Sequence, residues 1–340
     1  MKQAKILSVT LFLAAWFATA LVAGPELHAA SGATPAMPPE IQRLYSVGHY
    51  REAAAALRAA LSANSKDAAL HFWLGRCFYE LRDYSRAIAS FEQATALEKD
   101  RSEYHDWLGR ASGRKAEDTN IFAAFSSLTL ARRANHEFAA AVRLDPENLE
   151  AQRDYIRFLI NAPGIVGGSE ERAREQIQKL AIVDAVEADL ARAELFATRK
   201  RFDEAHKKYQ EILTGKPSRA GVYMEIAEYY RDRGDAEHMD QAAAAAAEAA
   251  PDDPRVPYYR GVALVLLNKD PLRAERYLRS YMETVADSVE APPHASAHEW
   301  LGKLYEGQGK LDQAVARYQA ALTLDPRNKS LREALKRLKK

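Results

Sequence analysis

Leu74-Gly75-Arg76-Cys77-Phe78-Tyr79-Glu80-Leu81-Arg82-Asp83-Tyr84-Ser85-Arg86-Ala87-Ile88-Ala89-Ser90-Phe91-Glu92-Gln93-Ala94 is the stretch that decides the fold. Counted from Gly75, Phe78 stands at +3, Ala87 at +12, Phe91 at +16 and Ala94 at +19. The same frame fits Gly302 with Tyr305, Ala314, Tyr318, Ala321 and, at +24, Pro326. It also fits Ala193 with Phe196, Ala205, Tyr209, Ile212 and Pro217; Ala227 with Tyr230, Ala246 and Pro251; and Ile41 with Leu44, Ala53, Leu57 and Ala60. Each unit reads as two helices joined by a tight turn, such as Leu81-Arg82-Asp83-Tyr84. Small residues at the Gly and first Ala positions let the two helices approach, aromatics fill the space beside them, and proline ends the unit. No such pair buries its apolar face alone, so the units must stack.

Outward from that stretch, the composition agrees. The chain has 340 residues, about twice a usual single domain of roughly 150. A repeat array reaches that length without enlarging one core. Hydrophobic residues make up 47% and charged residues 28%, a folded and not a disordered composition. Lys+Arg is 48 against Asp+Glu 47, so the basic excess of a nucleic-acid binder is missing. Cys77 is the single cysteine, which excludes an internal disulfide and reads as a small apolar core residue.

The N-terminus has the pattern of an export signal. Lys2 and Lys5 precede an uncharged run of 18 residues, Ile6 to Ala23, and small residues follow up to Ser31. Residues 1–30 are therefore expected to be a signal peptide. The run is long for a signal core and just short of a comfortable span, so a retained inner-membrane anchor stays open. Either way the remainder is expected outside the cytoplasm, periplasmic or secreted.

Leu74-Gly75, Leu108-Gly109 and Leu301-Gly302, with the alanine, aromatic and proline series around them, resemble the tetratricopeptide-repeat (TPR) family. The step of 34 residues from Gly75 to Gly109 matches that unit. The resemblance implies an all-α, right-handed superhelical solenoid of about eight helix-turn-helix units over residues 34–328. The limits are about 34–67, 68–101, 102–148, 149–185, 186–219, 220–253, 254–288 and 295–328, with 329–340 as a capping helix. Trp107-Leu108-Gly109-Arg110 and the loop at 161–169 are further similar to segments of exported bacterial repeat proteins.

Three units depart from the frame. Gly109 to Ala134 spans 25 residues where 12 are expected, an excess of 13. Ile121, Phe122, Phe125 and Leu128 recur there at helical spacing, predicting a lengthened second helix. That stripe either packs back on neighbouring units or projects as a docking or self-association surface. The loop Asn161-Ala162-Pro163-Gly164-Ile165-Val166-Gly167-Gly168-Ser169 carries turn signals and a capping serine. It lacks the Lys that a phosphate-binding loop needs after its last Gly. In the sixth unit Met239 takes the small +12 position and Ala243 the aromatic +16, a swap that conserves volume.

No constellation for catalysis is evident, and the chain is read as non-enzymatic with no cofactor and no metal. His294 and His298 lie four apart but Pro292-Pro293 precede them, and no second histidine-rich segment follows. His71, His105 and His298 hold equivalent places, read as structural.

In the TPR family the first helix of each unit lines a concave groove. Carried onto this chain, the inward positions are Phe72, Arg76, Tyr79, Arg110, Arg114, Arg153 and Arg157, and further on Met224 and Tyr258. The recurring arginines either face acidic or carboxylate groups of a ligand, or close an internal ladder with Glu80, Glu103, Asp106 and Glu150. The carboxylate clamp of chaperone-binding relatives is not carried over, because Phe72 and Arg76 stand where Lys and Asn are required. The function expected is a protein–protein interaction scaffold holding a peptide or protein partner in that groove, in envelope assembly or secretion. The alternative is a structural, self-assembling repeat protein using the third unit. No nucleic acid is expected, and membrane contact only through the N-terminal segment.

Overall fold

The computed structural model describes residues 35–118, 124–289 and 291–338. Among them are seventeen α-helices and no strand. Sixteen of them follow one another as eight consecutive helix pairs. They are α1 (Pro39–Ser46) with α2 (Tyr50–Ala63), α3 (Ala68–Glu80) with α4 (Tyr84–Leu97), α5 (Ser102–Asp118) with α6 (Ala124–Leu144), and α7 (Leu149–Asn161) with α8 (Glu170–Val183). Then come α9 (Ala185–Thr198) with α10 (Phe202–Thr214), α11 (Ala220–Asp232) with α12 (Ala236–Ala249), α13 (Val256–Leu266) with α14 (Pro271–Thr284), and α15 (His294–Gly307) with α16 (Leu311–Leu324). A final helix, α17 (Lys329–Leu338), buries Leu331 and Leu335, one turn apart, and leaves its other faces polar. The helices group into two compact units, the first ending at Ile212 and the second running from Leu213 to Lys340. None of the described helices is long and apolar enough to cross a membrane.

The glycine frame has a direct physical cause. A Cβ on Gly75 would lie 2.6 Å from the Phe91 ring, one on Gly109 2.8 Å from Phe138, and one on Gly302 2.4 Å from Tyr318. Gly261 stands in the same relation to Leu278, at 2.8 Å. The first helix of each of these pairs must therefore be bare where the large side chain of the second crosses it. Met239 and Ala243 are both fully buried, so the exchanged sizes of the sixth unit fill the same space.

The turns inside the pairs share a second feature. Seven residues after the reference position the backbone is left-handed: Gly48, Arg82, Lys200, Gly234, Asn268 and Gly309 have φ of 79°, 57°, 60°, 71°, 52° and 71°. Gly tolerates that region freely, whereas Arg82 and Lys200 occupy it at a steric cost. Helix starts are capped by Asp67, Asp83, Asn148, Ser169, Asp184, Asp235 and Asp270, each accepting a backbone N–H from the first turn.

The third pair corrects one expectation. The extra length is not confined to the second helix: α5 has 17 residues and α6 has 21, against 13 and 14 in the pair before. Leu128 does not project but packs, half-buried, on the core cluster around Phe138, Phe158 and Val166. Ile121, Phe122 and the side chain of Phe125 lie outside the described residues, as does the segment 1–30 read as a signal.

The loop after α7 folds onto the same cluster. The amides of Val166, Gly167, Gly168 and Ser169 donate to the carbonyls of Pro163, Gly164, Pro163 and Leu159. These donors are spent inside the loop, which leaves them nothing to offer a phosphate. A Cβ on Gly168 would lie 1.7 Å from the Ala162 carbonyl oxygen.

Candidate functional site

In the first unit, α3, α5, α7 and α9 are the leading helices of successive pairs, and one face of each carries charge. Arg76 is 6% exposed and lies against three rings, 3.7 Å from the centroid of Trp107, 5.4 Å from Trp73 and 5.7 Å from Tyr45. Such stacking suits a planar, weakly hydrated guanidinium. Arg110, also against Trp107, is surrounded by carboxylates. Its Nε is 2.8 Å from Asp106 on its own helix and 2.5 Å from Asp154 on α7, and Nη2 is 3.2 Å from Glu150.

The pattern repeats along the unit. Arg114 donates to the Tyr79 hydroxyl at 3.4 Å and pairs more loosely with Glu117 at 3.9 Å. Arg153 reaches Glu187 at 3.1 Å. Arg157 donates to Glu194 at 3.4 Å, and Asn161 donates to the other oxygen of that carboxylate at 2.9 Å. Arg110, Arg153 and Arg157 thus pair with carboxylates across the helices as an internal ladder, while Arg76 lies against rings and Arg114 against a hydroxyl. The rungs are Asp106 and Glu150, as one reading of the sequence had it, joined by Asp154, Glu187 and Glu194.

Carboxylates outnumber cations here, and the surplus shows in their acidity. Burial pushes Asp106 well up, and Asp154 and Glu150 push it further, against the opposing pull of Arg110. Burial raises Glu103 to about 7 and Glu117 to about 8. Tyr79, buried in the same wall, rises to about 12. At neutral pH part of this face is therefore held as neutral acid.

Three residues read as groove-lining are not on a surface at all. Phe72, Met224 and Tyr258 are fully buried. The reason is the same for Phe72 and Tyr258: the position points toward neighbouring elements rather than outward. Phe72 stacks on Tyr104 of α5 at 5.0 Å, and Tyr258 bonds Ser296 of α15 at 2.7 Å with Tyr281 beside it. Val262, one turn on from Tyr258, is buried too, so Met224, Tyr258 and Val262 together expose no apolar zone in the second unit. In its place the second unit has Glu228, which accepts from Tyr259 at 2.8 Å and is raised to about 7 by burial.

His71, His105 and His294 serve as braces. His71 bonds the Ser65 carbonyl and His105 the Lys99 carbonyl through Nε2, at 3.0 and 2.9 Å. His105 also holds Glu137 at 2.7 Å through Nδ1, and that hydrogen bond raises its pKa. His294 bonds the Val285 carbonyl at 2.8 Å, and among the described residues no group of three or more His, Cys, Asp or Glu could hold a metal ion. Cys77 is fully buried, and burial pushes its thiol up to about 12, which leaves it inert.

Sequence reasoning missed Asp154, Glu187 and Glu194. For Glu187 and Glu194 the signal was available: they stand 34 and 37 residues after Arg153 and Arg157, about one repeat, so a carboxylate one unit downstream of an arginine is the partner to look for.

A tetratricopeptide-repeat family model matches residues 40–110, and a second matches residues 295–328. No curated protein sequence matches. Among solved structures, yeast Tom70 superposes with a TM-score of 0.62 at 15% identity, over 99% of this chain and 71% of that one. A tetratricopeptide repeat protein from Parabacteroides merdae ATCC 43184 gives 0.44 at 16% identity, over 88% and 96%. MamA gives 0.41 at 17%, over 53% and 95%. At 15% identity the likeness to Tom70 is one of fold.

Proposed function

Because the chain belongs to the tetratricopeptide-repeat family, whose members in general are protein-interaction scaffolds, we propose that it is a non-catalytic scaffold holding a peptide or protein partner outside the cytoplasm. The role fits envelope assembly or secretion. Export rests on the basic start and the apolar run Ile6 to Ala23. The binding surface is the face of α3, α5, α7 and α9.

One observation carries this reading. That face is not packed with apolar side chains: Arg153, Asp154 and Glu194 stand half-buried along it in cross-helix ion pairs, and half-buried Arg114 reaches across to the Tyr79 hydroxyl. Such an array is rigid and polar, and it offers a partner fixed hydrogen-bonding groups. The acidic partner suggested by counting arginines loses its support here, since each guanidinium already has a ring, a hydroxyl or a carboxylate against it.

Two experiments test the proposal. Residues 1–40 fused to a reporter active only after export should give signal, and a silent reporter removes the localisation. The tagged chain, recovered from envelope extract, should bring down a second polypeptide in fixed ratio. Recovery of the chain alone, as a multimer, would favour self-assembly instead.

A further inference from the structure

The second unit holds a cleft that the scaffold reading does not use. It has a volume of about 490 Å³ and lies between α14 and α16, with Tyr305 of α15 in its wall. Glu275 is the one carboxylate among its lining groups, and it is already occupied. Its Oε1 accepts from Arg279 at 2.8 Å and from the Tyr305 hydroxyl at 2.7 Å, while Arg279 donates to Tyr305 at 3.1 Å. Tyr305 is buried and anchors this triangle, while Arg279 and Glu275 stay 43% and 26% exposed, so the guanidinium remains reachable from the cleft. Lys310 and Arg317 complete the lining, and neither forms an ion pair among the described residues. Lys310 is held 6.0 Å from the Tyr305 ring centroid.

The cleft therefore carries three cations and one carboxylate, and that carboxylate is spent on Arg279 and Tyr305. Lys310 also acts on Glu275, yet the lining keeps an excess of two positive charges in a concave space, where the field is stronger than on an open surface. We propose that this cleft binds a doubly charged oxyanion, with Lys310 and Arg317 as its main contacts and Arg279, locked by Glu275 and Tyr305, as a preset third donor. Phosphate and paired carboxylates share that chemistry. The site is independent of the face on α3 to α9 and stands whether or not that face binds a partner.

A neighbouring histidine provides a readout. His298 on α15 has a buried Nδ1 without a hydrogen-bond partner. Its pKa is lowered, first by burial and then by Arg317, with His294 and Arg279 adding to this and Asp287 opposing. An anion seated beside Arg317 cancels part of that cationic field, so the His298 ring takes up protons on binding.

The test titrates the full chain at pH 7 with inorganic phosphate and, separately, with acetyl-Glu-Glu-Glu-amide, at constant ionic strength set by chloride. Histidine ring resonances and calorimetry follow binding. A saturable move of the His298 signal toward its protonated position is expected. Arg317→Gln and Lys310→Gln should each weaken binding about tenfold or more, and Arg317→Lys should retain part of it. Both substituted side chains are at least partly exposed, so the variants should melt with the parent. Binding of phosphate alone makes the ligand a phosphoryl group, binding of the peptide alone an acidic polypeptide segment, and binding of both any oxyanion of that charge. Binding of neither, or binding unchanged in both Gln variants, overturns the proposal.

Discussion

Arg110 on α5 lies 2.5 Å from Asp154 on α7, one repeat away, with Asp106 and Glu150 on its other sides. One guanidinium thus holds together three carboxylates from two successive pairs. Arg110→Gln should leave those acids facing one another and cost about 3–5 kcal/mol, the range for breaking a buried pair. Arg273→Gln, which breaks an exposed pair with Asp270, should cost under about 1 kcal/mol. Asp106→Asn should be neutral or stabilising at pH 7, because burial already disfavours its charged form. Urea unfolding midpoints of the three variants check this. If Asp106→Asn is as damaging as Arg110→Gln, Asp106 is an ionised rung and the description of the ladder is wrong.

The raised acids fix a pH dependence. Glu103 and Glu117, near 7 and 8 when folded against about 4.5 unfolded, bind protons in the folded state that the unfolded chain has released. Stability therefore falls as pH rises through that window. His105, raised by Glu137, contributes fully below about 6.5 and loses its contribution as pH rises through its folded value. Glu137 is lowered, so its contribution is lost as pH falls below about 4.5. Melting temperature should be higher at pH 5.5 than at pH 8.5, and Glu103→Gln with Glu117→Gln should flatten the difference. A melting temperature that climbs with pH would contradict the assignment.

Two glycines of one loop should part company. Gly168→Ala drives a methyl into the Ala162 carbonyl and should cost more than about 2 kcal/mol, whereas Gly164→Ala meets open space and should stay within about 0.5 kcal/mol. Equal thermal melts would mean the loop does not close as described.

Gly75→Leu should cost on the order of 1–3 kcal/mol by forcing Phe91 off α3. At a turn the sign reverses. Lys200 is exposed and left-handed, so Lys200→Gly should stabilise by about 0.5–1 kcal/mol. Thermal unfolding of both variants beside the parent decides, and a destabilised Lys200→Gly would mean its side chain holds more than the turn.

The fold was legible because close packing leaves few residue choices. Gly75 opposite Phe91 and Gly302 opposite Tyr318 must be small against large, and sixteen residues separate each pair. The third pair was legible only in part: the spacing from Gly109 to Ala134 shows that residues were added, but not that α5 takes some of them. The site was less legible still. Whether Phe72 faces outward or onto Tyr104 depends on how closely α3 and α5 pack, which no single position records. Which carboxylate meets Arg110 depends on the register between repeats, and Asp154 is visible as its partner only once α5 and α7 lie side by side.

The partner-binding claim is tested most directly by photo-crosslinking from two positions of the exported chain in cells of its native host. Thr198 on α9 is exposed beside Asn161, on the face that carries the ladder, and Lys179 on α8 is exposed on the second helix of its pair. A photoreactive residue at Thr198 should give one discrete adduct with a foreign polypeptide, and the same residue at Lys179 should not. Adducts of the chain with itself alone, or equal capture from both positions, would contradict the account.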